Sequence, residues 1–394
     1  MLITDLDLND KKVLVRVDFN VPIDKNLGVT DNTRIKSSKK TISYILENGG
    51  TCILISHMGR PKGYEEKQSL KNIVNEVGKV LNKEITFIND CIGDNTKKAC
   101  KASKKGDVLL LENLRFYPGE EDGDIDFAKS LSELGDIYIN DAFGTAHRNH
   151  ASTGILPSFF QGCKAMGFLL SREVDAIETF LNNGQKPILS IIGGAKVSSK
   201  IEILNNLINV VDDIIIAGGM AYTFIKSMGG EIGKSLCEDE FLQQAKDILL
   251  SATRKNVNLH FPDDVIVSRE ISKTSSTEVR SIYNIPTHME GLDIGPKTLN
   301  KFSKIILKSN TILWNGPVGV FEMPNFQNGT KQIALAIAKA TECGAFSLVG
   351  GGDSISAIRL FGMHDKFSYI STGGGAMLES IEGKVLPGIK AILN

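Results

Sequence analysis

Short apolar runs rich in Val, Ile and Leu recur from one end of the chain to the other, and amphipathic stretches separate them. The runs are Val13–Val17, Thr51–Ser56, Val108–Leu111, Ile137–Asn140, Ile188–Ile192, Ile214–Ala217, Ile312–Trp314, Phe346–Val349 and Tyr369–Ser371. A strand with one wet face alternates apolar and polar residues, whereas a strand buried on both faces reads as a nearly continuous apolar run. Between the runs, stretches such as 34–46 carry helical spacing, with Ile35, Ile42, Ile45 and Leu46 on one side. Buried strands alternating with helices predict an α/β protein with parallel sheets covered by helices on both faces. No solenoid-length repeat interrupts the pattern.

The chain has 394 residues. A single core stops growing at roughly 250–300 residues, so two lobes are expected, each a Rossmann-like parallel sheet. Residues 171–183, SREVDAIETFLNN, form a polar-rich helix pattern, and the breaker cluster NGQKP follows. This predicts an N-terminal lobe over 1–170, a connecting helix and hinge over 171–184, and a C-terminal lobe over 185–377. An ordinary helix within one large sheet domain is the alternative. Lys and Arg number 45 against 46 Asp and Glu, so no global field favours nucleic acid or a membrane. The six cysteines form no C-x-x-C pair, and no Cys/His group has zinc spacing. The start, MLITDLDLNDKK, lacks the apolar core of a signal peptide. A reducing, cytoplasmic setting is therefore expected.

In open α/β sheets ligands bind beyond the carboxyl ends of the strands, and the two halves differ there. In the first half the strands run into polar and basic segments: VRVDFNVP, ISHMGRP, LENLRFYPG and NDAFGTAHRNHAS. His57, Arg34, Arg60, Arg115 and Arg148 lie on or near these ends. In the second half they run into glycines: SIIGGAKVSSK, IAGGMAY, WNGPVGVFE, LVGGGDS and STGGGAM. Glycine lets backbone N–H groups approach a ligand, and at a helix start those groups favour an anion. Guanidinium forks suit a compact carboxylate or phosphate compound. One half thus resembles a nucleotide cradle and the other a site for a small anionic metabolite. Tight strand–helix packing also uses glycine, and a loop arginine is often only a solvated surface group.

Lys196 and Lys200 follow Gly193-Gly194 and open a helix pattern running to about Val210. Four-residue spacing would set both ammonium groups on one helical face, either as phosphate contacts or as surface lysines. Asp353-Ser354 after Gly350–Gly352 reads as a helix cap, as a carboxylate for nucleotide-borne Mg²⁺, or as both. GGEIGKS at 229–235 falls one residue short of a Walker A loop, and no G-x-G-x-x-G follows a strand. No nucleophile elbow or activated cysteine is evident, and no histidine sits in the glycine-rich segments. Phosphoryl transfer between a nucleotide and a carboxylate suits this inventory, because both nucleophiles are already ionised. A nucleotide-dependent ligase or ATPase, and a metabolite-binding protein with a closing cleft, are the rival readings.

Taken together, RVDFNVP (16–22), SHMGRP (56–61), LRF (114–116), GTAHRNHAS (144–152), GGAKVSSK (193–200), WNGPVGVFE (314–322), GGGDS (350–354) and STGGGA (371–376) resemble the phosphoglycerate kinase family, in order along nearly the whole chain. The resemblance implies reversible phosphoryl transfer from ATP to 3-phosphoglycerate, giving ADP and 1,3-bisphosphoglycerate, with Mg²⁺, in glycolysis and gluconeogenesis. It implies that Asp18, Asn20, Arg34, His57, Met58, Gly59, Arg60, Arg115 and Arg148 hold the phosphoglycerate. For the nucleotide it implies Gly194, Ala195, Lys196, Lys200, Gly218, Gly219, Gly291, Asn315, Pro317, Gly319, Glu322 (toward the ribose), Gly351, Gly352, Asp353 and Ser354. Asp353 would reach Mg²⁺ through the nucleotide, and Arg34, Lys196, Gly352 and Gly374 would lie at the reaction centre. The resemblance further implies a monomer in which 378–394 packs back onto the N-terminal lobe and closure brings the substrates into line. Met58 stands where the family usually has Leu, and Ser354 where many relatives have Thr; the first keeps the volume and the second the hydroxyl.

Overall fold

The computed structural model describes Met1–Asn394. Its chain divides into two compact units, Met1–Asp175 with Val385–Asn394, and Ala176–Lys384. The division falls inside the helix Phe168–Leu181.

The first unit is built on a six-stranded parallel sheet in the order Thr86–Ile88, Val108–Leu111, Thr51–Ile55, Lys12–Val17, Ile137–Asp141, Lys164–Met166. Its central strands lie in register, with Arg16 opposite both Ile55 and Asn140. The residues that follow those three strands therefore emerge at one edge. The helix Thr33–Glu47 buries Ile35, Ile42 and Ile45 against the sheet as its spacing predicts. The final helix, Pro387–Leu393, belongs to this unit, and Gly388 N–H donates to Ala146 O at 2.8 Å.

The second unit has its own six-stranded parallel sheet: Asn258–His260, Asp213–Ile216, Ile188–Ile192, Thr311–Asn315, Phe346–Gly350, Tyr369–Ile370. Numbered by appearance, this is the doubly wound order in which the chain reverses direction between the first and fourth strands. Those two strands are Ile188–Ile192 and Thr311–Asn315, and Asn315 stands opposite Ile192 on one side and Gly350 on the other. Gly193, Gly316 and Gly351 therefore leave the sheet side by side. A three-stranded antiparallel sheet of Glu278–Ser281, Asp264–Ser268 and Glu290–Ile294 adds to this frame. The helix Gly375–Ile381 stays with the second unit, where Asn206 donates its side-chain amide to Ile381 O. The chain thus joins the first unit at Val385, later than the expected residue 378. No helix is long and apolar enough to cross a membrane.

Trp314, the only tryptophan, is fully buried in the second core, and Phe302 of the same cluster is equally buried. Truncating a buried phenylalanine removes its transfer free energy and leaves a cavity. Phe302→Ala should lower the stability of the second unit by about 3–5 kcal/mol. Urea unfolding followed by Trp314 fluorescence would measure this; an unchanged midpoint would contradict the packing described.

Candidate functional site

At the carboxyl edge of the first sheet, basic side chains converge on a short run of backbone. Arg34 Nη1 donates to Asp18 Oδ1 and to Asn20 O, each at 3.0 Å. Gly59 N–H donates to Asn20 Oδ1 at 2.9 Å, and Arg115 Nη1 donates to Gly59 O at 2.6 Å. Asn113, fully buried, ties the neighbouring loops together. Its Oδ1 accepts from Met58 N and Arg115 N, and its Nδ2 donates to Met58 O and Gln68 O. The structure thus joins Asp18, Asn20, Arg34, Met58, Gly59 and Arg115 through hydrogen bonds. Arg60 and Arg148 are exposed and carry no ion pair.

The electrostatics are those of an anion site. Burial first, then the charges of Arg16, Arg115 and Arg34, push His57 well below the usual histidine range, so its ring is neutral. His150 is pushed down to about 4 by burial and by Arg115, Arg16 and Arg148. Burial also lowers Arg115, with Arg16 and Arg60 adding to the effect against Glu121 and Glu120. Cations crowded so that each disfavours its neighbours' charge are relieved by a bound anion.

The second site lies at the reversal point of the second sheet. A cleft of about 370 Å³ is lined by Gly193, Gly194, Ala195, Lys196, Ser199, Lys200, Asn315, Gly316, Gly351, Gly352, Asp353, Ser354 and Leu378. Lys200 Nζ donates to Asn315 Oδ1 at 2.5 Å, and Asn315 Nδ2 donates to Gly350 O at 2.9 Å. Burial lowers the Lys200 pKa, while Glu382 and Asp353 act against the shift. Lys196 is exposed and has no ion pair.

Two sequence expectations need correction. Lys196 is not on a helix: the chain from Gly193 to Lys200 is bend and turn, and the helix is Ile201–Leu207. The reason is local. Glu238 accepts from both Ser198 N and Ser198 Oγ, and Lys200 N closes a turn onto Val197 O, which holds the loop off helical geometry. The two lysines share the cleft through this loop, not through a helix face. Asp353 and Ser354 also do not cap the helix Gly352–Leu360. Gly351 holds the N-cap position, and Ser354 Oγ instead accepts from Gly316 N at 2.7 Å. Asp353 stays free in the first turn, pointing its charge at a site where a helix start favours it.

Gly218, Gly219, Gly291, Pro317, Gly319, Glu322 and Gly374 do not line the cleft. Pro317 O accepts from Gly194 N, and a Cβ on Gly218 would meet Gly194 N and O at 2.8 Å, so both support the cleft floor. A Cβ on Gly219 would meet Ala195 O at 2.8 Å. Gly291 N donates to Ser235 Oγ, and Val320 N donates to Leu292 O, which brings the Gly319–Glu322 turn beside that strand. Glu322 is exposed, and Gly374 is the N-cap of Gly375–Ile381. No group of three or more His, Cys, Asp or Glu side chains is placed to hold a metal ion. A single free carboxylate such as Asp353 fits only an ion whose other ligands arrive with a phosphate compound.

Sequence reasoning passed over Arg16, Asn113, Glu120 and Ser152, all fully buried polar residues behind the first site. A signal for Arg16 was present: a charged residue inside a strand buried on both faces requires dedicated partners.

The glycines of the second cleft differ in purpose. Gly351 has φ +92°, and a Cβ there would meet Asn315 Nδ2 at 2.6 Å, whereas nothing lies within 4 Å of a Cβ on Gly352. Gly351→Ala should therefore cost about 1–3 kcal/mol of stability, and Gly352→Ala should cost none. Thermal unfolding of the two variants would test this; equal losses would contradict it.

Comparison with known proteins bears on the same geometry. The family model for phosphoglycerate kinase matches residues 3–384. The chain is 46% identical to a phosphoglycerate kinase of Porphyromonas gingivalis, with 100% of each chain covered. It is 46% identical to one of Dictyoglomus turgidum, covering 98% of this chain and 97% of that one. Among solved structures, phosphoglycerate kinase from Coxiella burnetii superposes with a TM-score of 0.93 at 41% identity, covering 100% of this chain and 98% of the other. The Pyrococcus horikoshii enzyme gives 0.84 at 29% identity with the same coverage. With two doubly covered parallel sheets, an arginine-rich edge on one and a glycine-walled cleft on the other, this chain belongs to the phosphoglycerate kinase family.

Proposed function

We propose that this chain transfers a phosphoryl group reversibly between ATP and 3-phosphoglycerate, with the acid held by the first unit and the nucleotide by the second. The observation that carries this reading is the cleft at the reversal point of the second sheet. There Lys196 is unpaired, Lys200 is tethered, Asp353 is free and the Gly352 position is open, in a chain whose other sheet edge gathers arginines.

The acid's carboxylate attacks the γ-phosphorus. A new carboxyl O–P bond forms as the bond from phosphorus to the β–γ bridging oxygen breaks, and ADP leaves. No proton moves, because the attacking carboxylate is already ionised. Charge stabilisation and positioning then supply the catalysis. Lys196, exposed and unpaired, would follow the migrating phosphoryl group, while Lys200, fixed by Asn315, would hold nucleotide phosphates. The open backbone at Gly352, and Gly374 with φ +50° and no atom within 4 Å of a Cβ, would bring N–H groups close to phosphate oxygens. Asp353 would hold a Mg²⁺ carried by the nucleotide, an ion that neutralises phosphate charge when bound. On the first unit, Arg34, Arg60, Arg115 and Arg148 would take the acid's phosphate and carboxylate, with Asp18 and Asn20 keeping Arg34 in place. Glu322 and Gly291 would face the ribose and base. A cytoplasmic monomer is the setting proposed.

ADP release from Mg-ATP, with and without 3-phosphoglycerate, tests the reading when a coupled reductive step removes the acyl phosphate. Release should require both the acid and Mg²⁺; release without the acid would favour an ATPase. Lys196→Ala should lower kcat about 10²–10³-fold, because charge aimed at the transition state is lost, with both KM values nearly unchanged. A raised KM with kcat spared would contradict that role. Arg148→Ala should raise the KM for 3-phosphoglycerate about ten-fold or more and leave that for ATP unchanged. Equal weakening of both would sink the division of substrates between the units.

A further inference from the structure

Behind the arginine-rich edge of the first sheet lies a polar network sealed from water. Arg16 is fully buried within its strand. Its Nε donates to Ser152 Oγ at 2.8 Å, its Nη1 donates to Val17 O at 2.6 Å, and its Nη2 lies 3.2 Å from His57 Nδ1. Ser152 Oγ and N in turn donate to the two carboxylate oxygens of Glu120 at 2.6 and 3.0 Å, and Glu120 is also fully buried. Glu120 lies 3.9 Å from Arg16 Nη2 and compensates its charge.

We infer that Arg16 is a positioning residue that fixes His57 in the tautomer bearing hydrogen on Nε2, so that a neutral His57 meets the acid as a hydrogen-bond donor. The inference deepens the proposed function and rests on its placement of the acid on the first unit. The chemistry of arginine forces the assignment. A guanidinium only donates and cannot be deprotonated in a protein, so the ring nitrogen facing it must accept. Hydrogen on Nδ1 would place two donors against each other at 3.2 Å. In the neutral ring the remaining hydrogen is then on Nε2. The arginine cannot turn away, because Ser152 and Val17 O fix its other nitrogens and Glu120 fixes Ser152. The low pKa of His57, set by burial and the surrounding arginines, agrees with a neutral ring. An imidazole held in this way adds a donor for an anionic ligand without a further buried cation beside three guanidinium groups.

The first test needs no substrate. Long-range ¹H–¹⁵N correlation spectra of the full-length protein with ¹⁵N-histidine would report the tautomer, with the His57 signals identified by their loss in His57→Gln. The Nε2–H pattern is expected at pH 7; an Nδ1–H pattern or an imidazolium would overturn the inference even if the kinase reading held. The second test is kinetic. The glutamine amide nitrogen sits as many bonds from Cβ as Nε2, and the asparagine amide nitrogen as many as Nδ1. His57→Asn should therefore raise the KM for 3-phosphoglycerate about ten-fold more than His57→Gln, the effect of one hydrogen bond to a charged group. Equal effects would overturn the donor role. Arg16→Met should admit a measurable Nδ1–H population in the same spectra. Should its unpaired Glu120 prevent folding, Arg16→Met with Glu120→Gln removes both charges and gives the same readout. A His57 that stays wholly in the Nε2–H form without Arg16 would refute the positioning role.

Discussion

Asn315 stands at the last position of the central strand of the second sheet, where the side chain closes two hydrogen bonds at once. Its Oδ1 accepts from Lys200 Nζ and its Nδ2 donates to Gly350 O, while its backbone oxygen accepts from Gly193 N at 2.9 Å. One buried residue thereby joins three strand ends and a lysine at a single rim. The rest of the second site follows from it. Gly316 passes beneath with its N–H on Ser354 Oγ, Gly351 turns with positive φ against the amide, and Gly352 and Asp353 are left open to the cleft. A polar side chain this deeply buried is stable only with its donors and acceptors satisfied.

The first sheet meets the same requirement by different means. There Asn113 is the fully bonded amide, linking Met58, Gln68 and Arg115. Its surroundings are guanidinium groups, not glycines. On the proposed function, the contrast is one of ligand size and charge. A nucleotide phosphate chain needs backbone donors spread along a wall, which side chains would obstruct. A small polyanion is held better by long planar forks that reach it from several strand ends.

Much of this was legible in the sequence because parallel sheets covered on both faces write themselves as apolar runs. Val108–Leu111 and Ile188–Ile192 have the predicted bounds, and every position in them is buried. The edge strands Thr86–Ile88, Lys164–Met166 and Asn258–His260 are three residues long, too short to write an apolar run, and the first and third have no buried position. The antiparallel strand Glu278–Ser281 is exposed at every position and carries no apolar signal. Lys196 and Lys200 were recognisable as a pair, but the loop between them depends on Glu238, which lies 40 residues from Ser198. The partners of Arg16 were hidden for the same reason, since Ser152 lies 136 residues away. Local pattern records which residues are buried; it does not record which distant polar group satisfies them.

The central claim is that the two units divide the substrates, arginine edge for the acid and glycine cleft for the nucleotide. Amide chemical-shift mapping of the full-length protein, titrated separately with 3-phosphoglycerate and with ADP, addresses it most directly. The account predicts that 3-phosphoglycerate moves the amides of 18–20, 57–60 and 113–115, while ADP moves those of 193–200, 315–319 and 351–354. Movement of the first set by ADP, or of the second set by 3-phosphoglycerate alone, would contradict it.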